Sequence, residues 1–342
     1  MKAVVFHEHG DLDRLVYQQV PKPDIGPHDV LVKVKACALN HLDIWTRIGM
    51  PGVSVPMPHI LGCDVSGEIE EVGKRTHGIK KGERVVLAPG ISCGTCPWCR
   101  SGWDSLCTEY KILGFQVNGG YAEYVKAPER NVIRVSNRYP LEEWAACPLV
   151  FLTAYHMLVT RAELKKGETV LIHAAGSGVG SAAIQVAKAF GARIATTVGS
   201  EGKAKSAKKL GAEFVINYRK TDFVGAVREW TRGEGVQVVL EHIGAETFLK
   251  SLAALAKKGR LVTCGVTSGP TAQIDLRFLF VRQFTIRGCY MGGRSELEAV
   301  MKLLRKGILK PVVDSTFPLS KAREAQQHML DRKNFGKILL IP

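Results

Sequence analysis

From about residue 150 the sequence alternates between short apolar runs and stretches with helical composition. The apolar runs are TVLIHAAG, RIATTVGS, FVINY, VQVVLEHIG, GRLVTCG and FTIRGCY, and segments such as SAAIQVAKAFG and EGKAKSAKKLGA separate them. Parallel strands need long crossover connections, which are usually helices. Six strands separated in this way therefore predict an α/β domain with a doubly wound, six-stranded parallel sheet, which we expect to span residues 136–289.

The first 135 residues have a different pattern, in which short apolar runs are broken by glycine and proline. Examples are DVLVKVKACAL, DVSGEIEEVG and YAEYVKAP. This pattern predicts strands that form a partly open antiparallel β-barrel. The segment FGKILLIP near the end is strand-like but has no place in a complete six-stranded sheet. We therefore expect residues 290–342 to complete the first domain, residues 1–135.

A glycine-rich turn connects the first strand of the second domain to an alanine-rich helix. Gly176, Ser177, Gly178, Val179 and Gly180 form this turn. A dinucleotide pyrophosphate needs backbone amides that it can approach closely, at a helix N-terminus whose dipole favours an anion. The strand before the turn and the helix after it predict a dinucleotide-binding site, with a purely structural turn as the alternative.

The end of the second strand indicates which dinucleotide is bound. A carboxylate at this position holds the ribose 2′-hydroxyl of NAD, whereas TTVGSEGKAK has valine and glycine there. Ser200 and Lys203 follow and can donate to a 2′-phosphate, while we expect Glu201 to point outward. Tyr218, after the third strand, can flank the adenosine end or serve only in packing. The pattern favours NADP(H) over NAD(H).

Four cysteines lie close together in CGTCPWCRSGWDSLC, at Cys93, Cys96, Cys99 and Cys107. Four thiolates in one loop suit tetrahedral Zn²⁺ and fill its coordination shell, so no position stays open for water or substrate. We expect one structural Zn²⁺ per chain, in a lobe at residues 90–110. An iron–sulfur cluster and free thiols are the alternatives.

Composition limits the partners of the chain. Nine cysteines in 342 residues are too few for a disulfide scaffold, and the formal net charge of +15 comes from dispersed lysines and arginines, so we expect no nucleic acid partner. No apolar stretch approaches the roughly 20 residues of a membrane-spanning helix, and MKAVVFHEHGDLDR becomes charged too early for a signal peptide. We expect no membrane association and a cytoplasmic location.

Together these features resemble the medium-chain dehydrogenase/reductase superfamily, the group of zinc alcohol dehydrogenases and quinone oxidoreductases. The resemblance covers nearly the whole chain, through GCDVSGEIEEVG, the cysteine lobe, GGYAEYV, LTAYHML, the glycine turn and FGKILL. It implies a GroES-like catalytic domain and a Rossmann domain, with substrate meeting the nicotinamide in the cleft between them. It also implies a homodimer or homotetramer.

The resemblance further identifies the positions where zinc alcohol dehydrogenases bind a second, catalytic zinc. The first ligand corresponds to Asn40, the second to Cys63 with Asp64 beside it, and the third to Leu149. The hydroxyl of the alcohol dehydrogenases' proton relay corresponds to Leu42. A catalytic zinc usually has three protein ligands, so the resemblance implies that the standard site is absent.

Other side chains near these positions leave an unusual catalytic metal open as an alternative. They are Cys37, His41, His59 and Cys147, in addition to Cys63 and Asp64. The segment ALNHLD resembles the zinc-free quinone oxidoreductases, which usually lack the cysteine lobe. The chain therefore combines a reductase-like site with the structural zinc lobe of alcohol dehydrogenases.

The leading hypothesis is NAD(P)H-dependent hydride transfer to a small conjugated carbonyl compound, a quinone or an α,β-unsaturated carbonyl. By the resemblance, Asn40 contacts the acceptor oxygen or the nicotinamide carboxamide, Thr153 fixes the nicotinamide ring, and Asp43 anchors the loop of Asn40. One alternative is an alcohol dehydrogenase with a non-standard catalytic metal. Another is a non-enzymatic nucleotide-sensing or nucleic-acid-binding relative.

Overall fold

A computed structural model describes residues 1–342 and divides the chain into two compact units. Unit 1 consists of Met1–Leu149 and Gly293–Pro342, and unit 2 consists of Val150–Gly292. Unit 1 is therefore discontinuous in sequence, as expected, but its first segment ends later than the expected residue 135. None of the helices combines the length and apolar character needed to cross a membrane.

Strands and α-helices occur along the whole chain. The strands are β1 (Lys2–Phe6), β2 (Val16–Gln19), β3 (Asp29–Ala38), β4 (His59–Ile60), β5 (Asp64–Val72), β6 (Arg84–Leu87), β7 (Gly90–Ile91), β8 (Lys111–Ile112), β9 (Tyr124–Pro128), β10 (Val132–Arg134), β11 (Thr169–Ile172), β12 (Arg193–Val198), β13 (Phe214–Asn217), β14 (Val236–Glu241), β15 (Leu255–Thr263), β16 (Thr285–Gly288), β17 (Val313–Pro318) and β18 (Lys337–Ile341). The helices are α1 (His41–Ile48), α2 (Pro97–Arg100), α3 (Pro148–Tyr155), α4 (Gly178–Ala189), α5 (Glu201–Leu210), α6 (Phe223–Trp230), α7 (Phe248–Ala254), α8 (Leu276–Arg282), α9 (Arg294–Arg305) and α10 (Ala322–Leu330).

Unit 1 is built around a seven-stranded sheet in the order β10-β6-β5-β3-β18-β17, with β9 also paired to β3. Most pairs are antiparallel, whereas β17 and β18 run parallel. A three-stranded sheet, β2-β1-β4, and the short pair β7-β8 complete the unit. The predicted GroES-like β domain is thus confirmed, with β17 as a strand that the sequence pattern did not indicate.

The strand β18 returns to unit 1, as FGKILLIP predicted, and pairs with β3 through Leu339 opposite Ala38. The packing of a 3₁₀-helix on this part of the sheet explains why the first segment of unit 1 ends after residue 135. The 3₁₀-helix Glu142–Ala146 packs on β3, β5 and β18, where Ala145 and Ala146 share a buried apolar cluster with Ala38 and Leu339. Burying these apolar side chains stabilises the contact with the sheet of unit 1. Residues 136–149 therefore belong to unit 1.

Unit 2 contains the predicted six-stranded parallel sheet, in the order β13-β12-β11-β14-β15-β16. Successive strands are added outward on one side from β11 to β13 and on the other side from β14 to β16. The order of the strands therefore reverses between β11 and β14, which are paired in parallel at the centre of the sheet. Such a reversal leaves a crevice at the carboxyl ends of the strands, where ligands of doubly wound sheets bind. The predicted Rossmann fold is therefore confirmed.

A buried polar network joins the ends of β11, β12 and β14. The carboxylate of Glu241 accepts a hydrogen bond from Ser251 Oγ at 2.6 Å, and the Ser251 oxygen lies 2.9 Å from Nε2 of His173. Nδ1 of His173 lies 3.3 Å from Oγ1 of Thr197, which accepts a hydrogen bond from the backbone N–H of Ala174. Because Ser251 donates its hydroxyl hydrogen to Glu241, its oxygen accepts a hydrogen bond from Nε2 of His173.

The network holds one charge in the interior of unit 2. Burial lowers the pKa of His173 to about 4 and keeps the ring neutral. Burial alone would raise the pKa of Glu241, but hydrogen bonds from Ser251 and from the backbone of Ile243 and Gly244 outweigh it and lower the pKa. The backbone at Ala174, where the glycine-rich turn begins, is therefore tied to an ionised, fully hydrogen-bonded carboxylate.

We expect unit 2 to lose stability in acid because of His173. Below its ordinary pKa of 6.5 the unfolded chain binds protons that the folded unit excludes, so the free energy of unfolding falls as the pH drops from 6.5 toward 4. The loss between pH 6.5 and 4.5 is about 2–3 kcal/mol. Urea-dependent hydrogen exchange of the unit 2 strands measures it.

The variant His173→Asn removes one of two buried rings, since burial also lowers the pKa of His242, and it should make this pH dependence less steep, even though it is less stable than the parent at pH 7.5. His77→Asn, at an exposed histidine, is the matched control and should leave the pH dependence unchanged. An equally steep pH dependence in His173→Asn would contradict the assignment.

Candidate functional site

Asn40 lies between β3 and α1, where the main sheet of unit 1 passes into its first helix. Its backbone N–H donates to the carboxylate of Asp43 at 2.8 Å, and Tyr121 Oη donates to the same carboxylate oxygen at 3.0 Å. Burial raises the pKa of Asp43 to about 6, although these hydrogen bonds oppose the shift. Asp43 thus fixes the backbone of Asn40 at the start of the helix.

The side chain of Asn40 belongs to a buried hydrogen-bonded group. Asn40 Nδ2 donates to Asp64 Oδ2 at 2.9 Å, and lies 3.3 Å from Cys63 Sγ and 3.4 Å from the carbonyl oxygen of Ala38. Asp64 Oδ1 accepts a hydrogen bond from the backbone N–H of Leu149 at 2.8 Å. The structure thus brings together the three positions that the family resemblance identified, Asn40, Cys63 and Leu149, around Asp64.

Lys337, from the final strand β18, completes this group and was missed from the sequence. Its Nζ donates to Asn40 Oδ1 at 2.6 Å and to Asp64 Oδ2 at 3.0 Å. Both Lys337 and Asp64 are buried, with relative exposures of 3% and 0%. The only signal in the sequence was a lysine within the apolar run FGKILLIP, since a lysine is almost never fully buried without a partner.

The side chains around Asn40 do not fit a catalytic zinc. Both oxygens of Asp64 accept hydrogen bonds, one from a lysine that repels a cation. Cys63 Sγ lies 3.3 Å from Asn40 Nδ2, and burial raises the pKa of its thiol well above the ordinary value. Cys63 and Asp64 form no group of three potential ligands with His41 or His59. His59 is buried with its ring 5.5 Å from that of Phe6, and His41 is exposed.

The remaining two candidate cysteines are no better suited to bind a metal. Cys37 lies on β3 and Cys147 follows the 3₁₀-helix Glu142–Ala146, and both are completely buried. Burial raises the pKa of each thiol well above its ordinary value, and the neighbouring carboxylate of Asp64 adds to the shift. Both side chains are therefore neutral thiols in the core of unit 1.

The four cysteines of residues 93–107 do come together. Their Sγ atoms all lie within 4.8 Å of one another, and Cys99 Sγ lies 3.9 Å from that of Cys93 and 3.5 Å from that of Cys96. A tetrahedron of thiolates at the usual Zn–S bond length has sulfur atoms about 3.8 Å apart. Backbone amides of Thr95 and Cys96 lower the pKa of Cys93 to about 6, whereas burial raises the pKa of Cys99 to about 11, so the fit to zinc rests on the distances between the sulfur atoms. The residues present therefore fit a closed, four-thiolate zinc site.

The glycine-rich turn lies at the carboxyl end of β11, as predicted. Ser177 precedes α4, and its Oγ accepts a hydrogen bond from the backbone N–H of Gly180 at 2.8 Å. A Cβ on Gly180 would lie 2.2 Å from the carbonyl oxygen of Ala174, so only glycine fits there. Gly176 lies in the turn, and Gly178 and Val179 begin α4. The turn, the helix N-terminus and the sheet reversal together fit a dinucleotide pyrophosphate.

The end of β12 carries no carboxylate. Ser200 is the N-cap of α5, and its Oγ accepts a hydrogen bond from the backbone N–H of Lys203 at 3.4 Å. Glu201 is exposed and accepts a hydrogen bond from Lys220 Nζ at 2.9 Å. The Tyr218 side chain lies close to Gly199: a Cβ added to Gly199 would lie 2.8 Å from the Tyr218 hydroxyl. Ser200, Lys203 and Tyr218 thus flank one strand end.

Thr153, the remaining predicted site residue, lies on α3 at the start of unit 2. Its side chain is buried, with a relative exposure of 5%. The helix α3 carries the apolar sequence PLVFLTAY and continues into a π-helical turn, His156–Arg161. Such turns occur frequently at functional sites.

Two family domains match the chain. Residues 26–137 match the alcohol dehydrogenase GroES-like domain, and residues 178–306 match the zinc-binding dehydrogenase family. An NAD-dependent alcohol dehydrogenase of Saccharolobus solfataricus is 33% identical, with both chains completely covered. The quinone oxidoreductase of Homo sapiens is 30% identical over 100% of this chain and 98% of its own length. An acryloyl-coenzyme A reductase of Metallosphaera sedula is 33% identical over 99% of each chain.

Solved structures agree with these relatives. A crystal structure of an NAD-dependent alcohol dehydrogenase has a TM-score of 0.96 and 42% sequence identity over the full length of both chains. A 2-octenoyl-CoA carboxylase reductase in complex with NADP and 2-octenoyl-CoA has a TM-score of 0.91 and 28% identity, over 99% of this chain and 87% of that one. The chain therefore belongs to the medium-chain dehydrogenase/reductase superfamily and is an NAD(P)-dependent oxidoreductase.

Proposed function

We propose that this oxidoreductase reduces conjugated carbonyl compounds, quinones or α,β-unsaturated carbonyls, without a catalytic zinc. One observation supports this most directly. Asn40 Nδ2 contacts Cys63 and Asp64, and Lys337 donates to Asn40 and Asp64, so these side chains are hydrogen-bonded instead of forming three open metal ligands. The names of the human quinone oxidoreductase and the acryloyl-coenzyme A reductase agree with this substrate class.

The protein's part in this reaction is to orient the reactants and polarise the acceptor. The nicotinamide, when bound, supplies the hydride. Asn40 Nδ2 has a short hydrogen bond to Asp64, while its second hydrogen faces only the longer contacts to Cys63 Sγ and the Ala38 carbonyl. Sulfur is a weak acceptor, so this second N–H can instead donate a hydrogen bond to a carbonyl oxygen of the substrate or of the nicotinamide carboxamide. In this proposal Thr153 fixes the face of the nicotinamide ring.

A second candidate function is the oxidation of alcohols. The relative from Saccharolobus solfataricus and the structure at 42% identity are both named NAD-dependent alcohol dehydrogenases. In such enzymes a zinc ion acts as Lewis acid on the substrate oxygen. The side chains around Asn40 do not fit a zinc ion. Their arrangement therefore favours the reduction of conjugated carbonyls over the oxidation of alcohols.

The proposed reaction is tested with a panel of acceptors and both cofactors. We expect NADPH oxidation with 9,10-phenanthrenequinone or 2-cyclohexen-1-one at a kcat/KM at least about 100-fold above that for saturated aldehydes, since only conjugated acceptors delocalise the charge that hydride transfer creates. The number of zinc ions per chain is measured on the same protein. If the protein oxidises alcohols faster than it reduces conjugated acceptors, and needs a second, exchangeable zinc to do so, it is an alcohol dehydrogenase instead.

We also propose that the four-cysteine lobe binds one structural Zn²⁺ per chain. Cys96→Ser should lose this zinc and lower the stability of the lobe, because a closed metal site contributes its binding energy to folding. The control Cys264→Ser lies outside the cluster and should keep the zinc. We expect kcat per folded molecule to change by less than about threefold, since a closed site touches no substrate. A folded Cys96→Ser protein that retains a full equivalent of zinc would refute the assignment.

The cofactor is proposed to be NADP(H), because the end of β12 offers Ser200 and Lys203 and no carboxylate. Lys203→Ala should weaken NADPH binding about tenfold and NADH binding less than twofold, since a charge-assisted hydrogen bond contributes roughly 1.5–3 kcal/mol. Lys209→Ala, in the last turn of the same helix, is the control. Dissociation constants from cofactor fluorescence give the comparison. Equal weakening of both cofactors would exclude contact with a 2′-phosphate.

A further inference from the structure

We propose that Lys337 is a positioning residue, whose ammonium group supplies to Asn40 and Asp64 the positive charge that a bound metal would otherwise provide. The inference deepens the proposed function and rests on it for the reaction itself. Lys337 is the one cation within ion-pair distance of Asp64, at 3.0 Å. Its ammonium also donates to Asn40 Oδ1, at 2.6 Å.

The burial of Asp64 makes this charge necessary. The Asp64 side chain is completely shielded from water, and that of Lys337 is 4% exposed. An ionised carboxylate in such a place is very costly unless it is paired and its lone pairs are hydrogen-bonded. Lys337, Asn40 Nδ2 and the Leu149 backbone N–H satisfy these requirements together. Removing the ammonium would leave a buried charge without its counter-ion.

The same pair also fixes which way the Asn40 amide faces. A lysine ammonium only donates hydrogen bonds, and an ionised carboxylate only accepts them. Asn40 therefore turns its oxygen to Lys337 and its NH₂ group to Asp64. If the amide were flipped, its NH₂ group would face the Lys337 ammonium and its oxygen would face the Asp64 carboxylate, and neither pair could form a hydrogen bond. With the amide fixed, the second N–H of Asn40 keeps one direction, which the proposed contact with a carbonyl oxygen requires.

The fold holds Lys337 in place through its backbone. Strand β18 pairs antiparallel with β3, with Leu340 opposite Cys37, and this register continued by three residues places Lys337 beside Asn40. The Lys337 backbone N–H donates to the carbonyl of Val312 at 2.8 Å, and the Leu39 N–H donates to that of Ile338 at 2.9 Å. The ammonium is therefore positioned by a rigid strand within the sheet.

Four variants test the role of Lys337. Lys337→Met removes the charge, Lys337→Arg retains it, and Asp64→Asn/Lys337→Met removes both charges. Lys333→Met is the matched control, because Lys333 pairs with Asp331 at 2.8 Å but is exposed. For each variant we would measure the melting temperature, the NADPH dissociation constant by fluorescence, and kcat and KM with 2-cyclohexen-1-one.

We expect Lys337→Met to lower the melting temperature by about 10 °C, because breaking a buried pair strands one charge. The double variant should regain most of that loss. We expect kcat to fall about 100-fold in both, because the Asn40 amide is no longer fixed, with KM and NADPH binding changed less than about threefold. Lys337→Arg should stay within about tenfold of the parent kcat, and Lys333→Met should match the parent.

Either of two results would overturn the proposal. One is a double variant that regains turnover together with stability, because the charge would then have only a structural role. The other is Lys337→Met that melts and turns over like the parent. If the parent protein reduces no conjugated carbonyl, the proposed function fails, and the melting temperatures still test the pair. For that cycle the single variant Asp64→Asn is measured as well, and additive effects of Asp64→Asn and Lys337→Met on the melting temperature would then disprove the coupling.

Discussion

The buried carboxylate of Asp64 is the constraint around which the main sheet of unit 1 is organised. It begins β5 and accepts hydrogen bonds from Asn40 before α1, from Leu149 at the end of the first segment, and from Lys337 on β18. Three parts of the chain that are distant in sequence therefore converge on one charge. Because a buried charge is tolerated only when every partner is in place, this group specifies one arrangement of these elements and not a family of similar ones.

The elements of the fold could be predicted from sequence because their signals are local. Six apolar runs separated by helices identify the parallel sheet, and the strand-like FGKILLIP without a place in that sheet was correctly assigned to the first unit. The boundary near residue 149 could not be found in this way. It depends on how Ala145 and Ala146 pack on β3 and β18, which is a tertiary contact with no local pattern.

The candidate site was only partly predictable for the same reason. The glycine turn and the four cysteines are compact motifs, and the structure places each of them as a unit. Lys337 is 297 residues from Asn40, and His173 is 78 residues from Ser251, so no sequence window contains either pair. Asn40 was identified only through a family resemblance, and that resemblance did not show that its amide is bound on both sides.

The position of β18 in the chain determines when the two units can form. Residues 150–292 are contiguous, so unit 2 has all of its strands as soon as residue 292 has been synthesised. Unit 1 cannot finish its sheet until residues 337–341 arrive beside β3. Domains generally fold as units during synthesis, and contacts distant in sequence form slowly. Until β18 docks, the nascent chain therefore lacks the partner of Cys37 and Ala38 on β3, and the Asp64 carboxylate lacks its lysine.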